Sequence, residues 1–269
     1  MIPKIIHYCW FGGNPLPELA HKCIASWRRY CPDYEIKEWN ESNYNVHKIQ
    51  YTSDAYKQKK YAFVRDYAGY DILYQYGGIC LDTDVELLKP LDESMLRHEC
   101  FSGFQCDQDI APGLIFAGEK GCRIAKELMD FYASYNFIYD PTKLKSIASP
   151  AIFTDILLKY GLKQNDTYQE LGIFTAYPAT YFCPISLKTR KLTITNNTYS
   201  IHHYDGSWLP DDVKAYNRIK KTLEKKYGKI IGWAMVFPCY IYMLIKNYGV
   251  KMIFKKIAGR LRGRTVRIN

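Results

Sequence analysis

Asp82 and Asp84 stand one residue apart in GGICLDTDVELL, residues 77–88, directly behind the apolar run Ile79-Cys80-Leu81. Read as the end of a buried strand, this spacing puts both carboxylates on one side, because side chains alternate across a strand. Two anions so close repel one another unless they face water or share a cation. Oxygen ligands of this kind suit Mg²⁺ or Mn²⁺, and such an ion in turn grips a diphosphate. The competing reading is a pair of aspartates that cap the turn after the strand. An isolated Asp-x-Asp does not choose between the two.

The surrounding elements must hold that pair in place. IPKIIHYCWF reads as a short buried strand running into a Gly-Gly loop. Residues 17–30 follow with Leu19, Cys23, Ile24 and Trp27 at helical spacing behind Pro17. YEIKEW alternates as a second strand, which gives the opening of an α/β nucleotide-binding sheet. Residues 54–76 read as one helix with Phe63, Tyr67, Tyr70 and Tyr74 on a face, stopped by Gly77-Gly78. CFSGF and GLIFAG read as strands and residues 121–135 as a helix. KLTITNNTYSIHHYDGSW reads as a late strand pair turning at Asn196-Asn197 and delivering His202, His203 and Trp208 to a loop. Open α/β sheets bind ligands at the C-terminal ends of their parallel strands, where Asp82 and Asp84 fall.

The 269-residue chain has 48% hydrophobic and 24% charged residues, which rules out wholesale disorder. Nine cysteines without a Cys-x-x-Cys pair point to free thiols in a reducing compartment. Pro3 and His7 come too early for a secretory leader, so a cytoplasmic protein is expected. The net charge of +10 is uneven: residues 214–269 hold fifteen Lys and Arg against Glu224 alone, +14, and the rest carries −4. Within that basic tail, residues 230–245 are apolar without interruption. Sixteen residues interrupted by Pro238 fall short of the about 20 that span a bilayer as a helix. The expected role is an amphipathic segment on an anionic membrane surface, peripheral to the inner face of the plasma membrane. A helix packed on the body is the alternative, and a nucleic-acid partner is not expected.

Three blocks occur in order: IPKIIHYCWFGG at the start, YAFVRDYAGYDILYQYGGICLDTDVELLKP at 61–90, and HHYDGSW at 202–208. Together they make residues 1–210 resemble glycosyltransferase family 32. That family includes mannosyltransferases and many bacterial capsule and lipopolysaccharide transferases with a DXD sugar-binding region, and is distantly similar to the glucosylating clostridial toxins. The resemblance implies a GT-A fold over residues 1–213, with a mixed, mainly parallel sheet, followed by the basic tail 214–269. It implies a retaining transfer of a hexosyl unit from a nucleotide-diphosphate sugar, UDP favoured over GDP, to a saccharide acceptor carried on a polyprenyl diphosphate. By the same resemblance Trp10 stacks on the base, and Asp66 binds ribose or donor-sugar hydroxyls. Asp82 touches the ribose and the metal shell, and Asp84 ligates the metal directly. His203 matches a late metal ligand, with His202 as its rival. Ser207 and Trp208 close over the diphosphate and stabilise the departing oxygen. Members often read Ser-Asp-x-x-Arg in the helix, where this chain has Arg65-Asp66-Tyr67-Ala68-Gly69. Arg65, one helical turn from Gly69, is the candidate to replace the guanidinium lost there.

Two other readings stand beside this one. A phosphatase of the haloacid-dehalogenase type also uses Asp-x-Asp after an apolar run, but it needs Thr or Val where Glu86 stands. A non-catalytic membrane scaffold with a degenerate sugar-nucleotide fold is the other. Asp107 and Asp109 are candidate acceptor contacts, with an exposed loop as the simpler reading.

Overall fold

The computed structural model describes residues 1–105, 108–139, 148–186, 189, 191–206, 209, 211–242 and 245–246. The chain divides into two units, residues 1–138 with 147–205 and residues 139–146 with 206–269.

The first unit begins as the sequence predicts. Ile5–Cys9 (β1) and Glu35–Trp39 (β2) pair in parallel, joined by the helix Glu18–Tyr30 (α1). The helices Gln50–Lys57 (α2) and Tyr61–Tyr76 (α3) lead to Gly78–Cys80 (β3) and Val85–Leu87 (β4). Then come Cys100–Gly103 (β5), Phe116–Gly118 (β6), Arg123–Ser134 (α4) and Ser149–Leu158 (α5). Gln169–Glu170 (β7), Thr175–Tyr177 (β8), Ala179–Phe182 (α6) and Ser200–His202 (β9) complete the unit. Seven strands form one sheet in the order β2-β1-β3-β6-β5-β8-β7. Five of them run one way and β6 and β7 run against them, the mixed, mainly parallel sheet expected.

Alternation along the strands sorts the core into two layers. Ile6, Tyr8, Ile79 and Leu81 join Cys23, Ile24 and Trp27 of α1 on one face, with Tyr8 edge-on to Trp27 at 5.7 Å. On the other face Cys80 donates its thiol to the Gly69 carbonyl of α3 at 3.4 Å. There Phe116 meets Phe153 of α5, and Tyr51 of α2 meets Tyr132 of α4. Gly77 ends α3 at φ 66°, its N–H on the Leu73 carbonyl at 2.8 Å. At Gly78, φ is +110° and a Cβ would stand 2.7 Å from the Ile5 carbonyl, so glycine alone lets β3 lie against β1.

Three elements differ from expectation. The helix expected over 54–76 is two helices, broken where Lys59 turns left-handed at φ 57°. The Lys60 N–H then reaches the Ala55 carbonyl at 2.8 Å and closes α2 in the manner of a Schellman cap, with lysine in place of the usual glycine. The turn at Asn196-Asn197 exists, with Thr198 N–H on the Thr195 carbonyl, but no hairpin crosses it. Instead β9 pairs antiparallel with β4 in a separate two-stranded sheet. The third difference concerns Asp82 and Asp84, which lie in the turn after β3 and not within a strand.

In the second unit, Asp211–Tyr227 (α7) ends at Gly228, φ 82°, and residues 229–242 are helical, Pro238 included. The two helical stretches pack closely: a Cβ on Gly232 would fall 2.5 Å from the Glu224 backbone nitrogen. Val236 is buried, while Ile230, Ile231, Trp233, Met235 and Phe237 are exposed. Among the described residues no helix is long and apolar enough to cross a membrane.

Candidate active site

β3 ends at Cys80, opposite Phe116, the first residue of its antiparallel neighbour β6, while β1 runs on to Cys9. Leu81 donates the last sheet hydrogen bond, to the His7 carbonyl at 3.1 Å, and Asp82 turns instead to the Gly113 carbonyl at 3.2 Å. Val85 N–H then closes a turn onto the Asp82 carbonyl at 3.0 Å. β4 beyond it is held from two sides. β9 pairs along one edge, with Val85 opposite His202. α1 holds it from the other: Trp27 donates Nε1–H to the Val85 carbonyl at 2.7 Å, and Leu87 N–H reaches Ser26 Oγ at 2.9 Å. The turn carrying both aspartates is thereby fixed at the C-terminal ends of β1 and β3.

Asp82, Asp84 and His202 each bring one ligand atom within 4.8 Å of the others. His202 Nε2 lies 3.1 Å from Asp84 Oδ1 and 3.9 Å from Asp82 Oδ2. Asp84 Oδ2 accepts the Asp205 N–H at 2.8 Å, brought back by the left-handed turn of Tyr204 at φ 55°. Burial works against the charge on Asp84, yet His202 and the Asp205 N–H outweigh it and hold its carboxyl down to about 2. Burial likewise opposes a charge on His202, but Asp84 and Asp82 overcome it and raise the imidazole above its usual value. Asp82 is raised instead: burial dominates, Arg65 opposes it and the Asp84 charge adds to it. Gly113 leaves space for Asp82, since a Cβ there would lie 2.3 Å from Oδ2.

The expected site residues fall as follows. Trp10 continues β1 at its C-terminal end, half-buried, with Nε1–H on the Asn14 carbonyl at 2.6 Å. Asp66 lies in α3, hydrogen-bonded by Ser149, with Arg65 Nη1 3.5 Å from Oδ1. Burial pushes its carboxyl up to about 7, against the pull of Arg65. The structure puts His202 at the aspartate pair, where His203 was the first choice. His203, the residue after β9, turns its Nε2 to Glu86 Oε2 at 2.8 Å. Lys22 Nζ meets the same Glu86 oxygen at 2.7 Å. Ser207 and Trp208 lie outside the described residues, as does Asp107. Asp109 is described, and its carbonyl accepts the Gln105 N–H at 3.0 Å. Gly69 packs on Cys80, whereas Arg65, on the same helix face one turn earlier, places Nη2 2.5 Å from Asp82 Oδ1. Gly113 belongs to the site without any mark in the sequence beyond a Pro-Gly turn signal.

Two carboxylates and an imidazole, converging from two elements, are the donor set that Mn²⁺ or Mg²⁺ takes. His202 Nδ1 is buried without a hydrogen-bond partner, so its ring is oriented by Nε2 facing the aspartates. The residues therefore fit a divalent cation.

Residues 17–102 match the family described as glycosyltransferase sugar-binding region containing DXD motif. Two curated relatives come from Schizosaccharomyces pombe. Inositol phosphoceramide mannosyltransferase 1 is 32% identical over 102 residues, covering 34% of this chain and 30% of the relative. Inositol phosphoceramide mannosyltransferase 3 is 37% identical over 99 residues, covering 34% and 26%. The chain thus spans less than a third of either relative. Among solved structures, the PaToxG glycosyltransferase aligns with TM-score 0.45 and 18% identity over 59% of this chain and 69% of its own. A glycosyltransferase involved in glycosylation of the major capsid of PBCV-1 aligns with TM-score 0.44 and 14% identity, over 77% and 95%. The matched segment 17–102 supplies α1, α3 and both aspartates.

Proposed function

We propose that the protein is a divalent-cation-dependent, retaining glycosyltransferase. It moves a hexosyl unit from a nucleotide-diphosphate sugar, UDP-linked by preference, to a saccharide acceptor on a lipid carrier, in the synthesis of a bacterial capsule or lipopolysaccharide. The observation that carries this reading is the convergence of Asp82, Asp84 and His202 at the C-terminal ends of β1 and β3. Asp84 and His202 would hold the cation, with Asp82 beside them, and the cation when bound supplies positive charge to the leaving diphosphate. Trp10, at the end of β1, offers a flat apolar face to a base, and Asp66 offers a carboxyl to sugar hydroxyls. Excluding water from this edge strengthens each of these contacts. No side chain is assigned as a catalytic base.

The names of the two yeast relatives specify mannosyl transfer to inositol phosphoceramide. A lipid-borne acceptor suits the second unit here, whose exposed Ile230, Ile231, Trp233 and Phe237 lie among lysines and would rest on an anionic membrane at the inner face of the plasma membrane. The test is a panel of UDP- and GDP-hexoses, each with and without Mn²⁺, followed by thermal shift and by release of free sugar. One donor should raise the melting temperature and be slowly hydrolysed only with Mn²⁺, and Asp84→Asn should remove both effects. Stabilisation by no member of the panel, or hydrolysis unaffected by Asp84→Asn, would overturn the proposal.

A further inference from the structure

Arg65 lies against the two aspartates of this edge that share its neighbourhood. Its Nη2 is 2.5 Å from Asp82 Oδ1 and its Nη1 is 3.5 Å from Asp66 Oδ1. The guanidinium keeps only 14% of its side-chain surface exposed, Asp66 15% and Asp84 16%. The edge therefore places two carboxylates, Asp66 and Asp82, on one side chain that cannot give up its charge, with Asp84 next to Asp82. Gly113 makes room for the Asp82 carboxylate: a Cβ there would meet Oδ2 at 2.3 Å. Asp82 Oδ1 is engaged by Arg65 before any cation arrives, and Oδ2 is left facing His202.

We infer that Arg65 is a resident counter-cation that positions Asp82 and competes with the divalent ion for it, so that this chain holds the bare ion weakly. Rigid, bidentate-capable and permanently charged, a guanidinium keeps two repelling carboxylates in place where a neutral side chain would not. The same charge repels an incoming ion a few ångströms away in a partly buried site. Removing the guanidinium takes one positive charge away from this edge, and the ion is then held more strongly. Arg65 thus makes the affinity of the ion depend on the diphosphate that arrives with it.

This inference rests on the proposal that Asp82 and Asp84 hold a divalent cation, and the experiment separates the two. Mn²⁺ binding to the nucleotide-free, full-length protein is followed by electron paramagnetic resonance and by calorimetry, for the wild type, Arg65→Gln, Arg65→Lys and Asp84→Asn. Arg65→Gln should bind Mn²⁺ about tenfold tighter or more, while Arg65→Lys, which keeps the charge, should stay within about threefold of the wild type. A wild type that binds Mn²⁺ through Asp84, with Arg65→Gln equal or weaker, overturns the inference and leaves the proposed function standing. Failure of every variant to bind Mn²⁺ overturns both. A second measurement does not depend on how Arg65→Gln folds. In wild-type protein the Arg65 Nε–H resonance, assigned by its absence in Arg65→Lys, should shift with the same midpoint as Mg²⁺ binding. A resonance unmoved by saturating Mg²⁺ counts equally against the inference.

Discussion

The two oxygens of Asp82 have different neighbours: Oδ1 meets Arg65, and Oδ2 faces His202 and the backbone of Gly113. Asp84 also divides its oxygens, one to His202 and one to the Asp205 N–H. His202 is therefore the side chain that ties the two aspartates together, and His203 is not. Replacing His202 by Ala should weaken Mn²⁺ binding at least about tenfold, as loss of a ligand does. Replacing His203 by Ala should leave it within about twofold. Glu86 keeps Lys22 in that variant, so its carboxylate is not left unpaired and stability should barely change. Calorimetric Mn²⁺ titration of the two variants side by side decides the matter, and equal losses would return His203 to the site.

The element that governs this geometry is β4. It has left the seven-stranded sheet and depends on β9 along one edge and on α1 along the other. Trp27→Phe keeps most of the buried ring but leaves the Val85 carbonyl without its indole donor. The expected cost is about 1–3 kcal/mol, read as a lower urea midpoint with an unchanged slope. Mn²⁺ affinity should fall with it, because the turn 82–85 hangs on Val85. An unchanged Mn²⁺ affinity would show that β9 alone sets the turn. These dependences explain what was legible beforehand. β1, α1 and β2 announce themselves through local period, and Gly77 through its need for positive φ. The Asp-x-Asp pair could be found by type and spacing, but its placement in a turn could not, since β3 leaves the sheet while β1 runs on to Cys9. The break at Lys59 lacks Gly or Pro, so the cap that made it left no local trace. The choice between His202 and His203 rests on the pairing of β9 with β4, which sets His202 opposite Val85 and ends there. Arg65 was visible as a displaced guanidinium, whereas its contact with Asp82 required the packing of α3 on β3.

Across the whole molecule, charge is separated along the chain: residues 214–269 carry +14 and the rest −4. Among the described residues eight cysteines are free, and Cys239, in the helical stretch 229–242, is the exposed one. Burial pushes the Cys80 thiol up to about 12 and the Cys9 thiol higher still, so both resist alkylation. In a Cys106→Ser background, iodoacetamide should label Cys239 in solution, and vesicles with anionic lipid should slow that labelling at least about fivefold through interfacial burial. Labelling that proceeds equally fast on anionic and neutral vesicles would leave the second unit without a membrane role. The pairing of Val85 with His202 carries a consequence for how the protein is made. More than a hundred residues separate its two partners, so this closure comes late, after the entropy of a long loop has been overcome. A ribosome that has released only the first half of the chain has already produced both aspartates, but His202, which meets them in the fold, has yet to be synthesised.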